Sequence, residues 1–371
     1  MGKRTVLYQE HLNAGARMVD FAGWEMPVQY KGILAEHEHT RKRVSLFDIC
    51  HMGEFRVTGD GAAAALDAVF ARPVADQKIG VCRYNFLLDD AGMVMDDLIV
   101  YRISETEFFI VVNAGTREGD AALIQSLLPG AVALSDESDG TAKLDLQGPE
   151  SAKVLAACGL DAAALPAYFH FRRAKVCGID CLLSRTGYTG ELGFELYLAS
   201  GRAVELWNRL LEHEAVEPAG LGARDTLRLE MGYALYGHEL NDQLTPLEAG
   251  YGAMLKLEEY PGRVFHGSAA LRKHRVTRTL AGIRLDGRRA ARAGCDILNR
   301  ENRVIGQVTS GAFAPSIGCA IAMGYLETDA LPADGKVLLG TERAMLEGEL
   351  CTLPFYREGT AKTIEINQIG G

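Results

Sequence analysis

Two adjacent carboxylates, Asp96 and Asp97, stand between Met93-Val94-Met95 and Leu98-Ile99-Val100-Tyr101. Charge is costly to place in an apolar run, so the pair needs a reason. If the run is a strand, successive side chains leave on opposite faces. One acid then faces solvent and the other a cavity, where it offers negative charge and hydrogen-bond acceptance to a ligand. The alternative is that both acids cap a turn after Ala91-Gly92. The residues alone leave the two readings open.

Two more segments concentrate polar groups among glycines. SRTGYTGELGFELYL (184–198) holds three glycines, three aromatics and two carboxylates. Glycine permits close backbone approach, so the stretch is either a loop that brings backbone and Tyr188 against a ligand or a tight loop before a strand. AGLGARDTLRLE (219–230) puts Arg224 and Asp225 near a helix start. Arg224 is suited to pairing with Glu195, to bidentate binding of a ligand carboxylate, or to a structural ion pair.

Other chemistries lack support. His37 and His39 flank Glu38 in AEHEHT, which reads as a helix, where the two rings diverge; a solvated face is the expectation. Cys177 and Cys181 form CxxxC in a strand-like run without a second pair at zinc spacing, and read as small buried hydrophobes. No metal is expected. There is no GxxxxGK[ST], no GxGxxG after a strand and no GxSxG elbow. Gly220 and Gly222 lack a surrounding βαβ unit.

The elements that must position these groups alternate without a strict βαβ rhythm. A helix is predicted over 61–71, and strands over 96–103 and 107–113. Thr116 is placed to cap a helix running to about Leu128. Gly148-Pro149 opens another. Ser200 precedes a helix whose apolar positions are Val204, Trp207, Leu210 and Leu211. From about Thr277 the helical period fades, and short strand-like runs (TLAGIRL, RVIGQVTSG, AIAMGYL, KVLLG, ELCTLPFY) suggest a small barrel or sandwich. The expected division is 1–276 and 277–371, with the boundary in KHRVTR.

Bulk properties agree with an ordinary soluble globular protein. The 371 residues are 48% hydrophobic and 24% charged, with a net charge of −10. That charge argues against a general nucleic-acid binder. No run approaches the ~20 apolar residues that span a bilayer. The start MGKRTVLYQEH lacks an apolar signal core, and eight scattered cysteines then read as reduced thiols, so a cytoplasmic location is expected.

Eight segments taken together resemble one family: DFAGWEMPVQY (20–30), SLFDICHMGEF (45–55), MDDLIVY (95–101), VVNAG (111–115), LQGPES (146–151), SRTGYTGELGFE (184–195), GLGARDTLRLE (220–230) and TSGAFAPSIG (309–318). In this order they are similar to the aminomethyltransferases, or T-proteins, of the glycine cleavage system. One departure is AGMVMDD, where the family has paired glycines before the acids; it alters the turn and leaves the acids.

The resemblance implies an α+β fold: two intertwined ferredoxin-like subdomains and a C-terminal β-barrel, arranged as a cloverleaf around folate. It implies transfer of the carbon of an aminomethyl group, held on the lipoyl arm of the H-protein, to tetrahydrofolate as acceptor co-substrate. The products are 5,10-methylene-tetrahydrofolate, ammonia and the dihydrolipoyl carrier, which also serves the system's P- and L-proteins. Asp97 matches the family's catalytic position, Glu195 its pterin-binding carboxylate and Arg224 a folate-contacting arginine. Tyr188, Tyr84, Tyr101 and Met52 would form walls, Asn113 would add a hydrogen bond, and Arg357 would border the same cavity. Arg288, Arg289 and Arg292 in GRRAARAG would steer an acidic carrier, or form an ordinary solvated turn. Rival readings on the same fold are a folate-binding assembly factor of iron–sulfur proteins, whose KGCYxGQE-like segment is here RTGYTGELGFE, and a folate-dependent demethylase.

Overall fold

The computed structural model describes residues 2–342 and 344–363. Period-two runs rich in β-branched and aromatic residues build two large sheets between which the chain alternates. The six-stranded sheet runs Phe171–Val176, Ile179–Ser184, Gly193–Ala199, Thr141–Gln147, Val44–Asp48, Val216–Pro218 in spatial order. The five-stranded sheet runs Cys82–Leu88, Val94–Arg102, Glu107–Val112, Gly53–Thr58, Ala133–Asp136. Neither sheet is contiguous in sequence, so the two units are intertwined, as expected. Lys3–Arg4, Trp24–Gln29 and Arg17–Phe21 add a small third sheet.

Each large sheet has an outer face covered by helices. On the six-stranded sheet, Leu144, Leu146, Phe194, Leu196 and Leu198 pack beneath Trp207. Helix Ala203–Leu211 supplies Ala203, Leu206, Trp207 and Leu210 to that core, a three-to-four-residue spacing. Val204, expected inside, lies 38% exposed, because the apolar stripe is offset by one residue from the predicted one. On the five-stranded sheet, Leu98, Val100, Phe108 and Ile110 pack with Leu66, Val69 and Ile124, from helices Ala62–Val69 and Arg117–Leu127. Burying each such aliphatic side chain contributes roughly 1.5–3 kcal/mol. The inner faces meet through Tyr101, Phe109, Val111, Phe171 and Tyr197.

The C-terminal region is a closed six-stranded barrel, Arg278–Leu285, Cys319–Glu327, Val304–Ala314, Asp296–Leu298, Lys336–Gly340, Met345–Cys351 in spatial order. Closure removes free sheet edges. The barrel docks on helix Leu221–Glu230, where Leu229 meets Ala312, Ile321 and Met323. Buried Arg228 pins the joint with ion pairs to Asp225 and Glu239, both at 2.9 Å, and a hydrogen bond to Ser310 at 2.8 Å.

Two local expectations are corrected. AEHEHT is helical, within Ile33–Lys42, but it is no solvated face. Glu36 is buried and accepts backbone N–H groups from Tyr30, Lys31, Gly32 and Gly220. His37 is buried against Thr226, Ser316 and Glu230. Polar residues were inside because other elements left donors for them to satisfy. Thr116 stands at the N-cap of Arg117–Leu127 but makes no side-chain cap; its hydroxyl donates to the Asn113 carbonyl at 3.1 Å. No helix among the described residues is long and apolar enough to cross a membrane.

Candidate active site

Strand Val94–Arg102 resolves the question of the two acids. The turn before it is capped by Asp89, whose carboxylate accepts the Met93 N–H at 2.8 Å, so neither Asp96 nor Asp97 is needed there. The two lie inside the strand and leave on opposite faces. Asp96 is fully buried on the helix-covered side, not in solvent as alternation had suggested. Asp97 is half-buried on the inner face.

Asn113 binds both acids. Its backbone N–H donates to Asp96 at 3.0 Å, and its side-chain Nδ2 lies 2.8 Å from Asp96 Oδ1 and 3.0 Å from Asp97 Oδ1. Tyr84 donates its hydroxyl to Asp97 Oδ2 at 2.9 Å. These are neutral donors; among the described residues no ion pair reaches Asp97. Burial and the neighbouring Asp96 charge push the Asp97 carboxyl up to about 7, against the pull of Tyr84 and Asn113. Behind it, burial and the charge of Asp120 push Asp96 well above the carboxylate range, and burial takes Asp120 to about 6.

Across the inter-sheet layer the second carboxylate has a different setting. In strand Thr141–Gln147, Ala142, Leu144 and Leu146 point into the helix-covered core. The alternate residues Lys143, Asp145 and Gln147 therefore share the inner face. Asp145 stands directly opposite Glu195 on the neighbouring antiparallel strand, and Lys143 opposite Tyr197. Lys143 Nζ reaches Glu195 Oε1 at 2.9 Å, while Oε2 accepts the Thr186 hydroxyl at 2.5 Å and that of Tyr197 at 3.3 Å. Burial alone would raise Glu195, but the Lys143 charge and the Thr186 hydrogen bond hold it below its ordinary value.

Arg224 does not pair with Glu195. It donates from Nη1 to Asp145 at 2.7 Å, and its guanidinium lies over the Tyr188 ring, 4.8 Å from the centroid. The Tyr188 hydroxyl is bonded to the Ala234 carbonyl, and its ring stacks with Tyr233. Asp97 acts electrostatically on Tyr188, as does Arg224, so Tyr188 links the two carboxylate settings. Tyr84 packs with Phe86 and Tyr251 beside Asp97. Met52 lies with its sulfur 3.5 Å from Lys143 Nζ.

Of the two remaining expected residues, Tyr101 meets Glu195 through Tyr197, and Arg357 lies apart. Tyr101 is completely buried between the sheets, its hydroxyl 2.9 Å from that of Tyr197. Arg357 is exposed, donates to Thr352 at 2.6 Å, and borders a groove of about 450 Å³ with Arg284, Ser316 and Tyr356; among the described residues no hydrogen bond or ion pair joins it to Asp97, Glu195 or Arg224. The glycines of 184–198 serve the protein's own packing. A Cβ on Gly187 or Gly193 would stand 2.2 Å from the Gln147 amide, which donates to Asp145 at 2.6 Å and to the Thr186 carbonyl at 3.0 Å.

Sequence reasoning missed Lys143, Asp145, Thr186 and Tyr251. KLDLQ reads as a strand with one solvated face, because alternation alone does not tell water from a second sheet. Two orphaned groups lie on this layer. Among the described residues His51 Nδ1 has no hydrogen-bond partner, and burial pushes the imidazole down to about 4. Both Glu54 oxygens are likewise without partners, and burial pushes that carboxyl well up. Burial thus disfavours the charged form of both groups.

An α+β pair of intertwined sheets with a closed barrel places the chain among the one-carbon transferases when set beside known proteins. The GCVT N-terminal domain family matches residues 7–259, and the glycine cleavage T-protein C-terminal barrel domain matches residues 278–357. The aminomethyltransferase of Chloroherpeton thalassium is 41% identical over 96% of this chain and 99% of its own length. That of Rubrobacter xylanophilus is 43% identical over 96% of this chain and 94% of its own. The crystal structure of the glycine cleavage system aminomethyltransferase T from Bartonella henselae superposes with a TM-score of 0.90 at 34% identity, covering 97% of this chain and 99% of that one. The chain belongs to the glycine cleavage T-protein family, the folate-dependent aminomethyltransferases.

Proposed function

We propose that Asp97 is the catalytic carboxylate of this transferase, that Glu195 receives the pterin of tetrahydrofolate, and that the one-carbon donor is the lipoylated H-protein. The observation that carries the reading is the half-buried Asp97, held only by neutral donors. A carboxylate left without a cation in a low-dielectric setting is poised to meet positive charge as it develops. Here that charge arises on the transferred carbon as ammonia departs.

The remaining residues fit a folate. A pterin edge presents N–H donors, and Glu195 is an acceptor held towards its ionised form. Tyr84, Tyr188 and Met52 supply aromatic and apolar surface. Arg224, already paired with Asp145 through Nη1, keeps its remaining donors for an anionic tail. Tetrahydrofolate supplies the nitrogen nucleophiles; the protein holds them near the lipoyl arm, a positioning effect. Docking of an acidic carrier is assigned to Arg288, Arg289 and Arg292 on the barrel, where Arg288 lies 4.0 Å over the Phe313 ring and Arg292 donates to the Gly311 carbonyl at 3.1 Å. Eight free cysteines suit a reducing compartment, and we place the enzyme in the cytoplasm.

The test is methylene transfer measured with purified lipoylated carrier and tetrahydrofolate, comparing the wild type with Asp97→Asn. Loss of turnover with folate binding kept is expected. Near-normal turnover in the variant overturns the role of Asp97, and absence of transfer by the wild type overturns the donor and acceptor.

A further inference from the structure

We propose that Lys143 is a positioning residue for tetrahydrofolate: from the strand beside Glu195 it holds that carboxylate ionised and aimed, against the carboxylate of Asp145 directly opposite. The inference rests on the reading of Glu195 as the pterin-binding group.

The register makes the case. Like charges facing each other across an antiparallel pair repel, and Asp145 and Glu195 are such partners. Both are buried, so water does little to separate them. The structure answers with two cations. Arg224, from helix Leu221–Glu230, takes Asp145 at 2.7 Å, and Lys143, two residues along the strand from Asp145, takes Glu195 at 2.9 Å. A lysine almost wholly buried is expensive unless paired; here its ammonium reaches Glu195, the Met52 sulfur and, at 5.3 Å, the Tyr197 ring.

The other groups facing Glu195 do not replace it. Tyr197, on the same strand, and Thr186, in the adjoining loop, donate neutral hydrogen bonds. Cys82 and Tyr101, from the opposite sheet, are held neutral by burial and by the Glu195 charge itself. Glu54 is a buried acid whose proton Lys143 opposes. Without Lys143, two carboxylates share Arg224, and one of them takes a proton. A protonated Glu195 presents a donor where the pterin edge also presents donors.

Steady-state kinetics at saturating lipoylated carrier, with tetrahydrofolate varied between pH 6 and 8.5, tests this. Lys143→Met should raise the tetrahydrofolate KM about tenfold at pH 7 while kcat stays within about threefold. The excess KM should shrink as pH rises and Glu195 ionises. Lys143→Arg should recover KM to within about threefold, because the charge returns. The double variant Lys143→Met/Asp145→Asn should recover it too, with a flat pH profile, because the opposing acid is gone. A KM within twofold of wild type in Lys143→Met, or one raised equally at every pH and not rescued by arginine, overturns the proposal. Circular dichroism melting reports whether Lys143→Met folds. If it does not, the double variant decides: wild-type KM supports the proposal, and a pH-independent rise overturns it. Glu195→Gln separates the two readings, since an unchanged KM there removes the pterin assignment itself, whereas a raised KM there beside an unaffected Lys143→Met removes Lys143 alone.

Discussion

Two carboxylates line the same inter-sheet layer under opposite electrostatic regimes. Glu195 has a lysine at 2.9 Å and is held below its ordinary range. Asp97 has a tyrosine, an asparagine and a second buried acid beside it, and is pushed up to about 7. A group that must bind a neutral, donor-rich edge benefits from a fixed, permanent charge. A group that must answer a transient cation benefits from having none beforehand, because a resident cation would have to be displaced. The contrast lies in which neighbours each strand register supplies.

The largest way to break this contrast is Asp97→Asn, which keeps shape and removes charge. Turnover should fall about 10²–10³-fold, with the tetrahydrofolate KM within a few-fold of wild type. In the wild type, turnover should rise with pH through about 7 as Asp97 ionises. Stability runs the other way. The folded protein keeps a proton on Asp97 between its ordinary value of 3.8 and about 7, while the unfolded chain has released it, so this group lowers stability as pH rises across that window and holds the loss above it. Asp97→Asn should therefore melt a few degrees higher than wild type at pH 8, and the gain should disappear at pH 4. Scanning calorimetry of the apo-protein at both pH values checks the sign; an equal shift at both refutes it.

Glu195→Gln attacks the other side. Losing an ionised acceptor costs roughly 1.5–3 kcal/mol, so the tetrahydrofolate KM should rise about 10–100-fold, with kcat changed less than in Asp97→Asn. Asp96→Asn should act more weakly and only through its neighbours. Asp96 is itself pushed well above the carboxylate range, so the change removes little charge near pH 7 and keeps one acceptor for Asn113; the acid limb of the turnover profile should move by under about one unit, with turnover at pH 8 within a few-fold. A loss equal to that of Asp97→Asn would place the chemistry on the wrong acid.

Much of this was legible in residues. Strand alternation separated Asp96 from Asp97, the segments matching the T-protein family ordered the site, and the fading helical period after Thr277 marked the barrel strands that begin at Arg278. What sequence left dark was partnership across sheets. KLDLQ has the pattern of a solvated edge, yet every residue of it is buried, since a second sheet covers the polar face. AEHEHT failed likewise: Glu36 satisfies three N–H groups of the turn before the helix and one arriving from a distant segment at Gly220. The glycines of 184–198 were legible as close approaches, but sequence could not name the protein groups that approach, Gln147 at Gly187 and Gly193 and Met231 at Gly190. Arg357 was assigned by resemblance alone, and its contact is with Thr352.

The last expected effect lies outside the layer altogether and leaves the chemistry unchanged. Arg288, Arg289 and Arg292 sit on the exposed turn between the barrel strands Arg278–Leu285 and Asp296–Leu298. The chain as a whole carries −10, so an acidic carrier is repelled at long range, and a local basic patch must overcome that field to orient the encounter. Charges on a rim change association more than the bound state. The triple substitution to Glu should thus raise the apparent KM for the lipoylated carrier about 3–10-fold at low salt, leave the tetrahydrofolate KM alone, and flatten the dependence of carrier KM on ionic strength, which screens such pairs beyond about 10 Å at 0.1 M. Carrier kinetics at 20 and 300 mM salt, about the range where screening changes most, are the measurement. A carrier KM that keeps its salt dependence after the reversal would move the docking face elsewhere on the molecule, while leaving the division of labour between Asp97 and Glu195 untouched.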